Sequence, residues 1–211
     1  MPVFDPPLGA YLEDLARRGE DPLLAEMHAY ARERKFPFVG PEVGRFLYQL
    51  VRLTGARRVF EMGSGFGYSA LWFARALPED GEIVLSDGDP ENMAAARDFL
   101  VRDGQAEKAH FLTGHAQDLL QTTPGLFDIV FCDIDKEQYP EVYELVRTRL
   151  RLGGALVVDN LIWSGRVADP ENEQPSTLGV RAFTDRMWDS PEFFSSLLPV
   201  RDGVGLFLKV K

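Results

Sequence analysis

The sequence predicts an α/β fold: a mostly parallel sheet of seven strands, closed by an antiparallel C-terminal hairpin and covered by helices on both faces. Three observations carry this expectation. Between residues 58 and 159 short apolar runs alternate with amphipathic helical patterns, the mark of a parallel sheet covered on both sides. The first of these runs opens into a glycine-rich loop, Gly63-Ser64-Gly65-Phe66-Gly67, and then a helix. The last two apolar runs, 194–200 and 204–210, are joined by Arg201-Asp202-Gly203, a short-loop hairpin signal.

Each element follows from local pattern. Residues 9–34 read as helix with Leu12, Leu15, Leu23, Leu24 and Met27 on apolar faces, broken at Gly19 and Pro22. Residues 37–40 connect to a helix that Pro41 and Glu42 start and Gly55 stops, with Val43, Phe46, Leu47, Leu50 and Val51 at helical spacing. Strands are expected at 58–62, 82–86, 109–112, 127–133 and 155–159, and helices at 68–77, 90–102, 117–121 and 139–151. The polar stretch 166–177 reads as an exposed loop. A length of 211 residues suits one domain, with 1–40 as a helical cap and 41–211 as the α/β core.

Composition narrows the function. Thirty-three acidic and 23 basic side chains give a net charge of −10, which disfavours nucleic acid without excluding it. The N-terminus lacks a basic stretch followed by an apolar run, and no segment has the length to cross a bilayer, so a cytoplasmic location without a membrane partner is expected. The single cysteine, Cys132, has no internal partner and lies in an apolar run, where a buried inert thiol is expected. His28, His110 and His115 are scattered and share no ligand spacing.

The glycine loop lets bare backbone approach a ligand at a helix N-terminus. Two features argue against a dinucleotide: the third glycine comes one position early, and acidic Glu61 stands where a pyrophosphate would be repelled. A cationic ligand tolerates that carboxylate. Asp87 ends the second strand, either as an acid that reaches ribose hydroxyls or as a turn aspartate, and Ala116 and Gln117 follow the third, where an adenine edge can be read or Gln117 caps a helix or is solvated. The ends of the fourth and fifth strands deliver Asp133, Asp159 and Asn160 to one crevice, since ligands of open parallel sheets bind outside the carboxyl ends of the strands. Oxygen donors without Cys or His suit a hard cation, Mg²⁺ first, with Ca²⁺ or Mn²⁺ as alternatives. Lys136, three residues after Asp133, is a surface lysine by spacing alone and a general base if a cation is bound beside it. Asp135 is expected to cap the helix that follows, and Trp163 either walls the acceptor or belongs to the core.

Together these residues resemble the cation-dependent O-methyltransferases that include catechol and caffeoyl-coenzyme A O-methyltransferases. The likeness runs from about Phe38 to the last strand and is carried by Glu61-Met62-Gly63-Ser64-Gly65-Phe66-Gly67-Tyr68-Ser69, Asp87, Asp133-Ile134-Asp135-Lys136-Glu137-Gln138-Tyr139, Val158-Asp159-Asn160 and Leu198-Pro199-Val200-Arg201-Asp202-Gly203. The resemblance implies a Rossmann-like class I methyltransferase. In it Glu61, Gly63, Tyr68 and Ser69 hold the methionine part of S-adenosylmethionine, Asp87 its ribose, and Ala116 with Gln117 its adenine, with Val39 also in the cofactor site. Asp133, Asp159 and Asn160 bind the cation, Asp133 also lies by the methyl donor, and Lys136 matches the family's base. Ile134 stands where catechol methyltransferases carry a polar ring near adenine, which leaves adenine held by packing. The acceptor implied is a catechol-like small molecule, bound by the cap and the 166–177 loop, and the assembly implied is a homodimer. Hydroxylated uridine of tRNA as acceptor, and a non-catalytic module that binds S-adenosylmethionine, are the alternatives to a small-molecule enzyme. A dehydrogenase is disfavoured by the glycine spacing and has no need of the oxygen cluster.

Overall fold

First-turn prolines mark where the first helices begin. In the computed structural model, which describes residues 5–211, α1 (Pro6–Arg17), α2 (Pro22–Arg34) and α3 (Gly40–Thr54) each carry a proline in the first turn, where no backbone N–H is needed. The first four residues of the expected cap lie outside the described residues. Asp21 caps α2 by accepting from the Leu23 and Leu24 amides at 3.0 and 3.1 Å, and Gly55 ends α3 in the left-handed conformation that its φ of 64° records. The cap is tied to the core through Arg75, which donates to Asp21 at 2.6 Å and to Asp103 at 2.8 Å.

The remaining order is β1 (Arg58–Met62), α4 (Tyr68–Ala76), β2 (Glu82–Asp87), α5 (Pro90–Arg102), β3 (Ala109–Thr113), α6 (Ala116–Thr122), β4 (Phe127–Cys132), α7 (Tyr139–Arg149), β5 (Leu150–Val158), α8 (Pro175–Trp188), β6 (Phe193–Leu198) and β7 (Val204–Lys209). The seven strands lie in the order β3-β2-β1-β4-β5-β7-β6, with β7 antiparallel to both of its neighbours and every other pair parallel. Alternation along each strand divides the core. Val59, Ile83, Ile129, Phe131 and Val157 face the α3–α5 side, and Phe60, Val84, Val130, Leu156 and Val158 face the α6–α8 side. Both faces are buried, so the strands read as nearly continuous apolar runs.

This topology fixes the crevice. The order reverses between β1 and β4, since β1 leads outward to β2 on one side and β4 to β5 on the other. Pairing continues one residue past the strands: the Asp133 amide donates to the Met62 carbonyl at 2.9 Å, and the Asp159 amide to the Cys132 carbonyl at 3.1 Å. Asp133 and Asp159 are therefore the first residues beyond two adjacent strands.

Two expectations need correction. The stretch 166–177 is not all loop: residues Trp163–Ala168 form a kinked 3-10 turn, and α8 begins at Pro175 and buries Thr177, Val180, Phe183 and Met187. Helix α7 ends at Arg149 and β5 starts at Leu150, earlier than the 155 expected. The pairing of β4 with β5 shifts register between Phe127 and Ile129, and Gly154 fits there because a Cβ would lie 2.9 Å from the Arg151 carbonyl and 3.0 Å from that of Asp128.

Candidate active site

The glycine loop turns through backbone that only glycine adopts at ease. Gly63 has φ of 80°, and a Cβ there would stand 2.4 Å from the Asp133 carbonyl oxygen, so this glycine lets β1 and β4 end side by side. Asp87 clamps the loop from β2. One of its oxygens accepts from the Gly65 amide at 2.9 Å, and the other from the Asp89 amide at 2.9 Å and Asn92 Nδ2 at 3.0 Å. Glu61 lies beneath the loop, 0 % exposed, and neither carboxylate oxygen makes a hydrogen bond. Burial pushes its carboxyl up to about 7 against the pull of the nearby Ser69 and Ser64 hydroxyls, and the charges of Asp133 and Asp87 push the same way as burial.

Beyond β4, Lys136 is buried at the start of the 3-10 turn Lys136–Gln138. Its Nζ donates to Asp133 Oδ1 at 2.7 Å and to the Ile134 carbonyl at 3.1 Å. Helix α8 holds the turn from behind, since Gly179 packs so closely that a Cβ would stand 2.2 Å from the Lys136 carbonyl oxygen. Asp135 stands at the N-cap position, where its carbonyl accepts from the Gln138 amide at 3.0 Å, but its exposed side chain makes no cap bond.

Beyond β5, Asp159 is 4 % exposed and its Oδ1 has no hydrogen-bond partner. Its carboxyl is held well above the usual range, first by burial and then by the charge of Asp133, against the Asn160 amide, Lys136 and Arg201. The backbone there is fixed by Tyr139, whose hydroxyl donates to the Asp159 carbonyl at 2.9 Å. Asn160 follows with φ of 61°. Among the described residues five that are not glycine have positive φ, and four of them, Asn160, Trp163, Ser164 and Arg201, flank this place; strained backbone gathers at functional sites.

Two cavities meet here. The first, about 760 Å³, is lined by Val39, Gly63, Tyr68, Ser69, Asp87, Ala116, Gln117, Asp133, Lys136, Asp159 and Asn160, so all the residues singled out in the sequence except buried Glu61 reach it. Phe36, Pro37 and Phe38 also line it, although the sequence marks them only as a connection. Gln138 joins from the motif, its Oε1 accepting from Gln117 Nε2 at 2.9 Å. Trp163 lines this first cavity and not the second. The second cavity, about 910 Å³, lies between α1, the start of α3 and the β6–β7 turn, and it shares Phe38, Asp159 and Asn160 with the first. Among the described residues the expected 166–177 loop contributes nothing to it, and the wall on that side is Pro199, Val200, Arg201 and Asp202 instead.

The other titratable groups are structural. Cys132 is buried, with burial pushing its thiol up to about 12. His28 is buried, hydrogen-bonded to the Tyr68 hydroxyl at 2.9 Å, and burial lowers its pKa, while His110 meets Glu82 at 3.1 Å on the surface.

The site can thus take a long ligand against the glycine loop and a second molecule on the far side of a cluster of oxygen donors. Known proteins share this frame. The family of O-methyltransferases matches residues 14–210. A catechol O-methyltransferase of Niastella koreensis is 35 % identical over 179 residues, covering 82 % of this chain and 80 % of the relative. Caffeoyl-CoA O-methyltransferase 1 of Zea mays is 34 % identical, covering 80 % and 70 %. The O-methyltransferase TomG of Streptomyces achromogenes, solved in complex with SAM, superposes with a TM-score of 0.84 at 32 % identity and 91 % coverage of each chain. The O-methyltransferase of Bacillus cereus, solved with SAH, gives a TM-score of 0.83 at 28 % identity, covering 90 % and 91 %. With sequence and fold agreeing over nearly the whole length, this chain belongs to the S-adenosylmethionine-dependent O-methyltransferase family.

Proposed function

We propose that this enzyme methylates one hydroxyl of a catechol-like small molecule, with a divalent cation, Mg²⁺ by preference, holding the two neighbouring oxygens of the acceptor. The observation that carries this is Asp159, a buried carboxylate with an unpartnered oxygen, next to the like charge of Asp133, on the border of the two cavities. A carboxylate in that position costs free energy unless a cation lies against it. The residues fit such an ion: Asp133, Asp159 and Asn160 offer only hard oxygen donors.

In this reading Val39, Gly63, Tyr68 and Ser69 receive the methionine end of the donor, Asp87 the ribose, and Ala116 with Gln117 the adenine, beside Ile134. Glu61, once ionised, complements the donor's positive charge from beneath the loop. When bound, the donor supplies an electrophilic methyl on sulfur and the cation makes a chelated hydroxyl, with a pKa of about 10 when free, more acidic. Lys136 accepts the proton. Its Nζ, 2.7 Å from Asp133 Oδ1 on the wall of the first cavity, lies beside the proposed cation ligands, where it can take that proton. The walls contribute alignment, worth roughly 7 to 11 kcal/mol of barrier when the reacting atoms are well placed. A cytoplasmic homodimer completes the proposal on the family likeness alone, and light scattering reads the assembly.

The test is methylation of caffeate and simpler catechols after chelation, with and without Mg²⁺ restored. Turnover should appear only on restoring the metal, and Asp159→Ala should abolish it while S-adenosylhomocysteine still binds with nearly the parent affinity. Metal-independent turnover, or full activity in the variant, rejects the proposal.

A further inference from the structure

We propose that Arg201 is a specificity-determining residue, which selects vicinal-hydroxyl aromatics bearing an anionic substituent, such as a carboxylate, over neutral counterparts. The inference rests on the reading of the second cavity as the acceptor's chamber.

Arg201 sits in the β6–β7 turn with φ of 50°, where an L side chain is held at a cost and a glycine would not be. Its side chain is fitted into the molecule. The guanidinium lies over Gly40, so closely that a Cβ there would stand 2.2 Å from Nη1 and 2.6 Å from Cζ. Gly40, itself at φ of 75°, leaves room for the guanidinium against the chamber wall.

The charge is only partly answered. Arg201 Nη1 meets Glu42 Oε2 at 3.3 Å, long for a charge-assisted bond, and the other donors of its fork have no partner among the described residues. A second guanidinium, Arg45, stands on the same wall; it donates to the carbonyl of Ala16 and, at 2.6 Å, to that of Arg18, and meets no carboxylate within 4.0 Å among the described residues. Of the carboxylates around the chamber, Glu42 faces Arg201, Asp202 accepts from the Ser164 amide at 2.5 Å, Asp159 faces the donor set, and Glu13 is exposed on α1. Asn160 and Ser164 add polar groups to the wall, and Leu12, Leu15, Phe38 and Val200 supply its apolar part. A volume of about 910 Å³ exceeds what one dihydroxyphenyl ring fills, so it has room for a ring with a side arm.

The experiment compares 3-(3,4-dihydroxyphenyl)propionate with its amide, which differ in charge and little in shape. Their Kd values are measured by calorimetry with S-adenosylhomocysteine and Mg²⁺ present, and their kcat/KM values by methyl transfer. The parent should favour the acid by about tenfold or more, the range expected of a hydrogen bond to a charged group. In Arg201→Gln and Arg201→Gly the acid-to-amide ratio should fall towards unity through KM, and Arg201→Lys should recover part of it. The glycine variant is at ease in the turn, which guards against loss of folding. An equal preference in the parent, or variants that weaken both compounds together and keep the ratio, would overturn the inference. Methylation of the amide as readily as the acid removes this inference alone, whereas binding of neither compound removes the chamber's assignment along with it.

Discussion

Glu61 and Lys136 are ionisable side chains enclosed by the fold, and their roles are read by different measurements. Glu61 keeps a proton up to about pH 7 in the folded chain and loses it near 4.5 when unfolded, so in that window the native state binds the extra proton. Stability therefore falls as pH rises from about 4.5 to about 7, and the contribution is fully lost only above the folded value. Urea unfolding without donor, from about pH 5 to about pH 8, should show a smaller decline in Glu61→Gln than in the parent. Equal slopes would mean that the carboxyl is not proton-bearing. The affinity for S-adenosylmethionine should rise over the same interval as the carboxylate forms, and the variant should lack the rise. Lys136 is read in turnover. Lys136→Met should lower kcat roughly 100-fold or more and flatten its rise with pH, and a pH–rate curve of unchanged shape would rule out a base at this position.

At the level of elements, α8 is a positioning device. Gly179 lets it press on the Lys136–Gln138 turn, with 2.2 Å between a would-be Cβ and the Lys136 carbonyl. Helix propensity alone would make Gly179→Ala stabilising by up to about 1 kcal/mol. Overpacking should win, with a loss of about 1 to 3 kcal/mol in urea unfolding and a lower kcat as the turn shifts. The sign of the change decides between the two. This helix also shows where sequence patterning stops. Strand 58–62 and helix 90–102 were legible to the residue because an apolar run ends at the glycine loop and because Asp89 and Pro90 form a cap. In α8, Val180, Phe183 and Met187 do keep helical spacing, but Ser176, Thr177 and Gly179 dilute the first turns, and Thr177 is buried by tertiary packing that no local pattern announces. The early start of β5 was hidden because Gly153 and Gly154 dilute the apolar pattern, though they form an irregular part of the strand.

Over the whole molecule, the convergence of Asp87, Asp133 and Asp159 was readable because they end or follow apolar runs, and strand ends of a parallel sheet share one edge. Asp133 and Asp159 are 26 residues apart in number yet adjacent for that reason alone, as the first residues after β4 and β5. The second cavity had no such signature. Its walls come from α1, α3 and the β6–β7 turn, which meet only when the sheet closes with β7 between β5 and β6. The division between the two cavities has a further consequence. Phe38 stands on the boundary, held edge-on against Tyr68 and His28 at ring separations of 4.9 and 5.1 Å. On the proposed reading, two adjacent phenolic oxygens would be nearly equivalent to a metal ion, so regiochemistry, meta against para, would have to come from how firmly the ring is propped from the side. Phe38→Ala should blur the isomer ratio of the product more than it slows its formation, a difference that chromatography of the two monomethyl ethers would read directly.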